Sequence, residues 1–230
     1  MISIIIPTYM EEKYIEKTLK AIRAQDYTDY EIIVADSSSS DRTVEISRKY
    51  ADKVVVSKER GISLGRNLGA VNAKGEILQF LDADTEIQKG FLREIDEQFK
   101  NKKVVCVAGY IKTYGKKRNQ IVYKACSEAV GVLSKTMPRV YGIAVACRRS
   151  TFDKIDGFDE TLETAEDIKF GEDMSKHGKV VLARNAIAIT SPRRLIGMGL
   201  SNAVIFHIKN FFRFVIFKRG AKNYSIEREG

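Results

Sequence analysis

Cysteine, histidine and proline are scarce in this chain of 230 residues, with three, two and three of each. Cys106, Cys126 and Cys147 form neither a CxxC pair nor a zinc spacing, and a sparse, odd count argues against a disulfide framework. A reducing compartment follows. His177 and His207 stand too far apart in sequence to suggest a local metal site. No Gly-x-Gly-x-x-Gly follows the first apolar run, so a dinucleotide site has little support, and no Gly/Lys-rich triphosphate loop is evident. No repeat, low-complexity tract or Pro/Gly linker divides the chain, which reads as one domain with a C-terminal extension. The N-terminus enters Ile2-Ser3-Ile4-Ile5-Ile6 without a basic leader or a small-residue cleavage site, and is expected to be a first strand and not a signal peptide.

What is present is ordinary for a globular protein: 44% hydrophobic and 30% charged residues. The formal charge of +9 is unevenly placed, because the segment from Arg193 to Gly230 holds eight Lys/Arg against two Glu. This basic tail is interleaved with Ile, Val and Phe and carries no familiar nucleic-acid motif. An anionic membrane surface or a phosphorylated substrate suits that mixture better than nucleic acid.

The first hundred residues alternate between strand and helix patterns. Strands are expected at Ser3–Thr8, Tyr30–Ala35, Lys53–Val56 and Glu76–Leu81. Helices are expected at Glu12–Gln25, after Asp41, and at Ser63–Asn72. This rhythm implies a parallel sheet with helices on both faces. A helix at Gly90–Lys100, a strand at Val104–Gly109 and a solvated loop at Lys112–Asn119 follow. A helix at Gln120–Lys135, a strand at Tyr141–Cys147, a helix at Thr164–His177, and strands at Val180–Leu182 and Ala186–Thr190 complete the globular part.

Asp82-Ala83-Asp84 follows a short apolar strand. Two carboxylates there project into the crevice where open α/β sheets bind ligands, and their oxygens suit a hard divalent cation. Alone, the same residues could be a turn with a helix cap. Four local patterns stand in order in the first half: Ile4-Ile5-Ile6-Pro7-Thr8-Tyr9 with Glu11, Asp36 to Thr43, Gly65-Arg66-Asn67-Leu68-Gly69, and Asp82-Ala83-Asp84. Arg148-Arg149 through Gly157-Phe158-Asp159-Glu160 to Glu166-Asp167 is a fifth. Together they resemble family 2 glycosyltransferases over Met1 to about Leu200.

The resemblance implies a GT-A-like (Rossmann-like) α/β fold, a mostly parallel sheet flanked by helices, with residues 1–100 as the nucleotide half and 101–199 as the acceptor half. It implies inverting transfer, of the hexosyltransferase class, from a UDP- or GDP-linked sugar, with Mg²⁺ or Mn²⁺ as cofactor. On it, Pro7, Thr8, Tyr9 and Glu11 face the nucleoside, Asp36 accepts from a ring imino N–H, and Arg66 reaches the base or the diphosphate. Asp82 and Asp84 are the ribose and metal residues, and Asp167 is the general base. For a lipid-phosphate acceptor, already anionic, Asp167 would position the acceptor instead. Arg193 and Arg194, expected in a loop after Pro192, are candidates for the diphosphate or for a membrane. The chain has no Trp, so the Gln-x-x-Arg-Trp of processive synthases is missing. Two rivals are a sugar-nucleotide-binding protein without transfer activity and a metal-dependent nucleotidyltransferase.

Leu200–Phe217 has twelve apolar residues among eighteen, interrupted by His207, Lys209 and Arg213. A spanning helix needs about twenty mostly apolar residues. An amphipathic helix in the membrane interface fits better, with Asn202, Lys209, Asn210 and Arg213 on its polar side and Lys218, Arg219 and Lys222 extending it. Packing on the protein's own core or on a second copy is the alternative for Phe206, Phe211, Phe212, Phe214 and Phe217. The expectation is a cytoplasmic protein, peripheral on the cytoplasmic face of a membrane, with a lipid or lipid-phosphate acceptor.

Overall fold

A computed structural model describes residues 1–133 and 140–217. The apolar runs Ile2–Thr8 (β1), Tyr30–Asp36 (β2) and Ile77–Leu81 (β4) are buried almost throughout, as expected of strands covered on both faces. With Lys53–Val56 (β3) they pair in parallel in the order β3-β2-β1-β4. The crossovers are Ile15–Arg23 (α1), Thr43–Ser47 (α2) and Ile62–Val71 (α3). Ile15, Leu19 and Ile22 form the buried face of α1, the stripe that the sequence spacing predicts. Asp41 serves the start of α2, with Oδ1 accepting from the Thr43 N–H at 3.0 Å.

The second half makes the sheet mixed. Beyond Thr85–Ile87 (β5) and Phe91–Lys100 (α4) come Val104–Thr113 (β6), Lys117–Leu133 (α5), Ala144–Arg148 (β7) and Arg149–Lys154 (α6). Glu166–Ser175 (α7), Lys179–Thr190 (β8), Arg193–Met198 (α8) and Leu200–Phe217 (α9) follow. The sheet continues from β4 as β7-β6-β8-β5. β7 runs antiparallel to both β4 and β6, and β5 antiparallel to β8, whereas β6 and β8 are parallel. Reversal at β7 gives β6 and β8 the direction of β4, so all of these strands end on one edge of a mixed sheet.

Among the boundaries that differ from expectation, three do so for clear local reasons. β6 extends to Thr113 because it pairs with β8 as far as Thr190, which shortens the expected loop to three residues before α5. The two expected strands near Val180 and Ala186 are one strand, in which a register shift opposite Gly109 and Tyr110 turns Arg184 and Asn185 out to solvent. Arg193 and Arg194 open α8 instead of lying in a loop.

Period-two alternation divides the core between the sheet faces. Ile2, Ile4 and Ile6 pack with α1 and α4 on one face, while Ile5, Leu78 and Phe80 face a second cluster. Helix α3 lies so close to β1 that a Cβ at Gly69 would run into Ile5. Four rings fill the second cluster: Phe158 and Phe170 stack at 4.1 Å, and Phe80 meets Phe158 edge-on at 5.0 Å. Cys106 and Cys147 sit opposite one another in β6 and β7 as buried packing residues.

Helix α9 packs partly on the body of the protein. Ala203, Asn210 and Phe214 are buried, and the Thr164 hydroxyl donates to Asn210 Oδ1 at 3.0 Å. Asn210 therefore leaves the polar side assigned to it, where Asn202, Lys209 and Arg213 remain exposed. The side chains of His207, Phe211, Phe212 and Phe217, and all of Lys218, Arg219 and Lys222, lie outside the described residues. Among the described residues no helix is long and apolar enough to cross a membrane.

Removing a ring from the aromatic cluster leaves a cavity in a close-packed interior. Phe170→Ala is expected to lower stability by ~3–5 kcal/mol in urea unfolding. A loss under about 1 kcal/mol would mean that the cluster does not carry this face of the sheet.

Candidate active site

Three parallel strands end side by side. In the β1–β2 register Thr8 lies opposite Asp36, and the Thr8 hydroxyl donates to Asp36 Oδ2 at 2.9 Å. Past β2 the chain turns through Ser38 (φ 56°), and Ser39 folds back onto the same carboxylate. Its N–H donates to Oδ1 at 2.8 Å and its hydroxyl to Oδ2 at 2.6 Å. Asp36 is thus a buried carboxylate with three protein donors on about four lone-pair sites. Pro7 closes β1 where Gly65 opens onto it, and the Arg60 guanidinium lies over the Tyr9 ring at 4.3 Å.

Arg66 occupies the middle of this edge. Its side chain is 1% exposed, so it is not a solvated surface arginine. Nη1 pairs with Glu166 Oε1 at 2.9 Å, and Nη2 donates to the Gly142 carbonyl at 3.1 Å and meets Asp82 Oδ1 at 3.5 Å. The guanidinium lies 4.9 Å from the Phe158 ring centre, and a Cβ at Gly142 would collide with it. The Gly142 N–H donates to Asp167 Oδ2 at 3.0 Å. One residue, Gly142, therefore links Arg66 through its carbonyl to Asp167 through its N–H. Burial pushes the Asp167 carboxyl above the usual range, and the Asp82 charge adds to the rise against the Gly142 N–H and Arg66. Burial and then Asp167 raise Glu166 in the same way, opposed by Arg66.

A second arginine serves Asp84. Arg193, at the start of α8, brings Nε to 2.7 Å from Asp84 Oδ2 and Nη2 to 2.8 Å from Glu11 Oε1, with its guanidinium 4.5 Å from the Tyr14 ring centre. The Ser191 N–H donates to the Asp84 carbonyl at 3.1 Å, fixing the chain after β8 against this turn. Burial raises Asp84 while Arg193 and Arg194 hold it down. The residues expected at a nucleotide and metal site thus converge on one sheet edge, each acid of the Asp-x-Asp having its own guanidinium. Among the described residues no group of three or more His, Cys, Asp or Glu could hold a metal ion by itself.

Sequence reasoning missed several participants. Glu166 is the closest acid to Arg66, and Gly142 is its carbonyl acceptor, but a Glu beside the favoured Asp and a single Gly carry no distinguishing signal. The phenol of Tyr123 in α5 is pushed up to about 12, first by burial and then by the charge of Asp84. Arg148 and Arg149 have structural partners: Arg148 donates to the Phe99 and Val104 carbonyls and Arg149 to the Ala70 and Gly75 carbonyls. Asn67 holds the Gly157–Glu160 loop on α3 through the Phe158 backbone N–H and carbonyl, both at 2.9 Å.

The model of the family described as Glycosyl transferase family 2 matches residues 3–156, more than half of the chain. The chain belongs to that family. It is 28% identical over 204 residues to the poly(ribitol-phosphate) beta-N-acetylglucosaminyltransferase TarS of Staphylococcus aureus, covering 83% of this chain and 34% of that protein. It is 31% identical over 163 residues to a dolichol-phosphate mannosyltransferase of Pyrococcus furiosus, covering 68% of this chain and 45% of the relative. The chain thus spans less than half of either relative. The mannosyltransferase PcManGT of Pyrobaculum calidifontis, crystallised with GDP-Man and Mn2+, superposes with a TM-score of 0.69 at 20% identity, over 90% of this chain and 64% of that one. That likeness establishes the GT-A-like fold.

The buried arginine yields a prediction. Arg66→Met removes the cation between Glu166 and Asp82 and is expected to cost ~3–5 kcal/mol in urea unfolding at neutral pH. Glu166 is already raised, so in the variant it would take up a proton on acidification while folded. The loss should therefore shrink as pH falls through the carboxylate range and be fully present above it. A loss independent of pH would place the effect in packing alone.

Proposed function

We propose that this chain is an inverting glycosyltransferase that takes a sugar from a UDP- or GDP-linked donor. The observation that carries this reading is the alignment of Asp36, Asp82 and Asp84 at the ends of parallel strands, with Asp167 joined to the same cluster through Gly142. Asp36 has about one lone-pair site left beyond Thr8 and Ser39, which suits a single ring imino N–H of uracil or guanine. Thr8 and Ser39 orient the carboxylate, and Pro7, Tyr9 and Glu11 border the nucleoside. Arg66 spends both terminal nitrogens on protein acceptors, so its part is to hold Asp82 and Glu166 in place.

A divalent cation fits the donor set. Asp82 and Asp84 offer hard carboxylate oxygens at the end of β4, and an ion held by the two would take its remaining ligands from a diphosphate. Bound there as Mg²⁺ or Mn²⁺, it would supply charge neutralisation of the departing nucleotide. Arg193 and Arg194 stand beside Asp84 and are the chain's own positive charges for the same diphosphate.

Asp167 accepts the proton of the attacking hydroxyl. Its half-buried position raises its affinity for that proton, while Gly142 fixes the oxygen that receives it. The relative whose name includes dolichol phosphate and the exposed basic side of α9 support an acceptor held at a membrane surface.

Two substitutions separate binding from chemistry. Asp36→Ala should weaken nucleotide binding by ~1–3 kcal/mol in calorimetry. Asp167→Asn should keep that affinity and lose turnover. Since Asp167 must be ionised to act and its carboxyl is raised, turnover should fall on acidification at a pH above the ordinary Asp range. An Asp167→Asn enzyme of wild-type rate would remove the base and favour a phosphate acceptor.

A further inference from the structure

Two segments at the same sheet edge contain no acid. No Asp or Glu occurs between Glu97 and Glu128, or between Asp173 and Glu227. The first segment holds the turn from β6 into α5, where Lys116, Lys117 and Arg118 are consecutive and exposed. The second holds α8 and α9. These segments are neighbours in space. The Thr113 hydroxyl donates to the Thr190 carbonyl at 2.7 Å, and a Cβ at Gly115 would stand 4.0 Å from Pro192, the residue before α8. Gln120 ties the first turn of α5 to the Gly115 carbonyl at 2.9 Å, and α8 packs against α9.

Large apolar side chains are exposed on these same elements. Tyr114 is 46%, Ile121 59%, Ile196 67% and Ile205 49% accessible. Isoleucines beside a run of basic residues are the composition of an interfacial element, which inserts apolar groups between headgroups and meets anionic phosphates with Lys and Arg. A soluble polyanion would be met by the charges alone and would gain nothing from the isoleucines.

We infer that the β6–α5 turn and α8 form a docking surface for an anionic lipid bilayer, with Tyr114, Ile121 and Ile196 entering the interface and Lys116, Lys117 and Arg118 on the headgroups. This deepens the proposal of a membrane-held acceptor and rests on it for its purpose. The surface adjoins Arg193 and Asp84, so docking by it would bring the crevice to a lipid-linked acceptor without help from the end of the chain. Charge and apolar burial act together, so neither alone suffices for stable attachment.

The test is flotation of the full chain with vesicles of phosphatidylcholine, with and without phosphatidylglycerol, at low and high salt. The chain should float with the anionic vesicles only and be released by salt. The triple charge reversal Lys116→Glu, Lys117→Glu, Arg118→Glu should lower the partition coefficient on the order of a hundredfold or more, counting each basic residue as about fivefold. The pair Ile121→Ser, Ile196→Ser should weaken flotation while nucleotide affinity, read by calorimetry, stays at the wild-type value. If wild type floats and the charge-reversed chain floats equally, the surface is not the docking element and α9 carries attachment alone. If wild type binds a soluble anionic polymer but no vesicle, a polyanion is the partner and the inference is overturned. Neither readout involves sugar transfer, so both stand apart from the catalytic proposal.

Discussion

The guanidinium of Arg66 is the contact on which the geometry of the crevice depends. It is rooted in α3, reaches Asp82 at the end of β4, and meets Glu166 and Gly142 from the second half of the chain. Without a cation there, Glu166, Asp167 and Asp82 would share a buried space with like charges, a cost of several kcal/mol. Phe158 supports the guanidinium from below, and Asn67, one residue along, holds the Phe158 loop. The two halves therefore meet through one helix turn, which holds Asp82 of the first half and Glu166 of the second on one guanidinium.

Arg193 does the same for Asp84 from the other side of the crevice. By pairing Asp84 with Glu11 it joins the start of α1 to the start of α8. On the proposed reading, a metal at Asp84 would compete with the Arg193 guanidinium for one carboxylate, and a diphosphate arriving with it would offer that guanidinium other oxygens.

Much of this was legible because alternation and strand-end acids are local signals. The parallel half, the buried face of α1 and the position of Asp36, Asp82 and Asp84 follow from runs such as Ile4-Ile5-Ile6 and Ile77-Leu78. The reversal at β7 did not, because Ala144-Val145-Ala146-Cys147 is equally apolar in either direction and pairing is decided by distant strands. The partners of Arg66 were hidden for a similar reason, since Gly142 and Glu166 lie far along the chain and only tertiary contact brings them in. Asn210 was misplaced because helical spacing allots it to the polar side, whereas Thr164 offers it a buried hydrogen bond. Arg148 and Arg149, read within a functional pattern, instead bind backbone carbonyls at the ends of α4, β6 and α3.

The claim that this edge receives a nucleoside diphosphate sugar is tested most directly by thermal unfolding of the full chain against UDP- and GDP-linked sugars with Mg²⁺ or Mn²⁺. A ligand that binds the folded state alone raises Tm by mass action, and at a hundred times its Kd contributes about 2.7 kcal/mol. One nucleotide class should raise Tm in the presence of the metal, with the shift reduced by chelator and by Asp84→Ala. Absence of any shift across both nucleotide classes and both metals, at ligand concentrations in the millimolar range, would contradict the account.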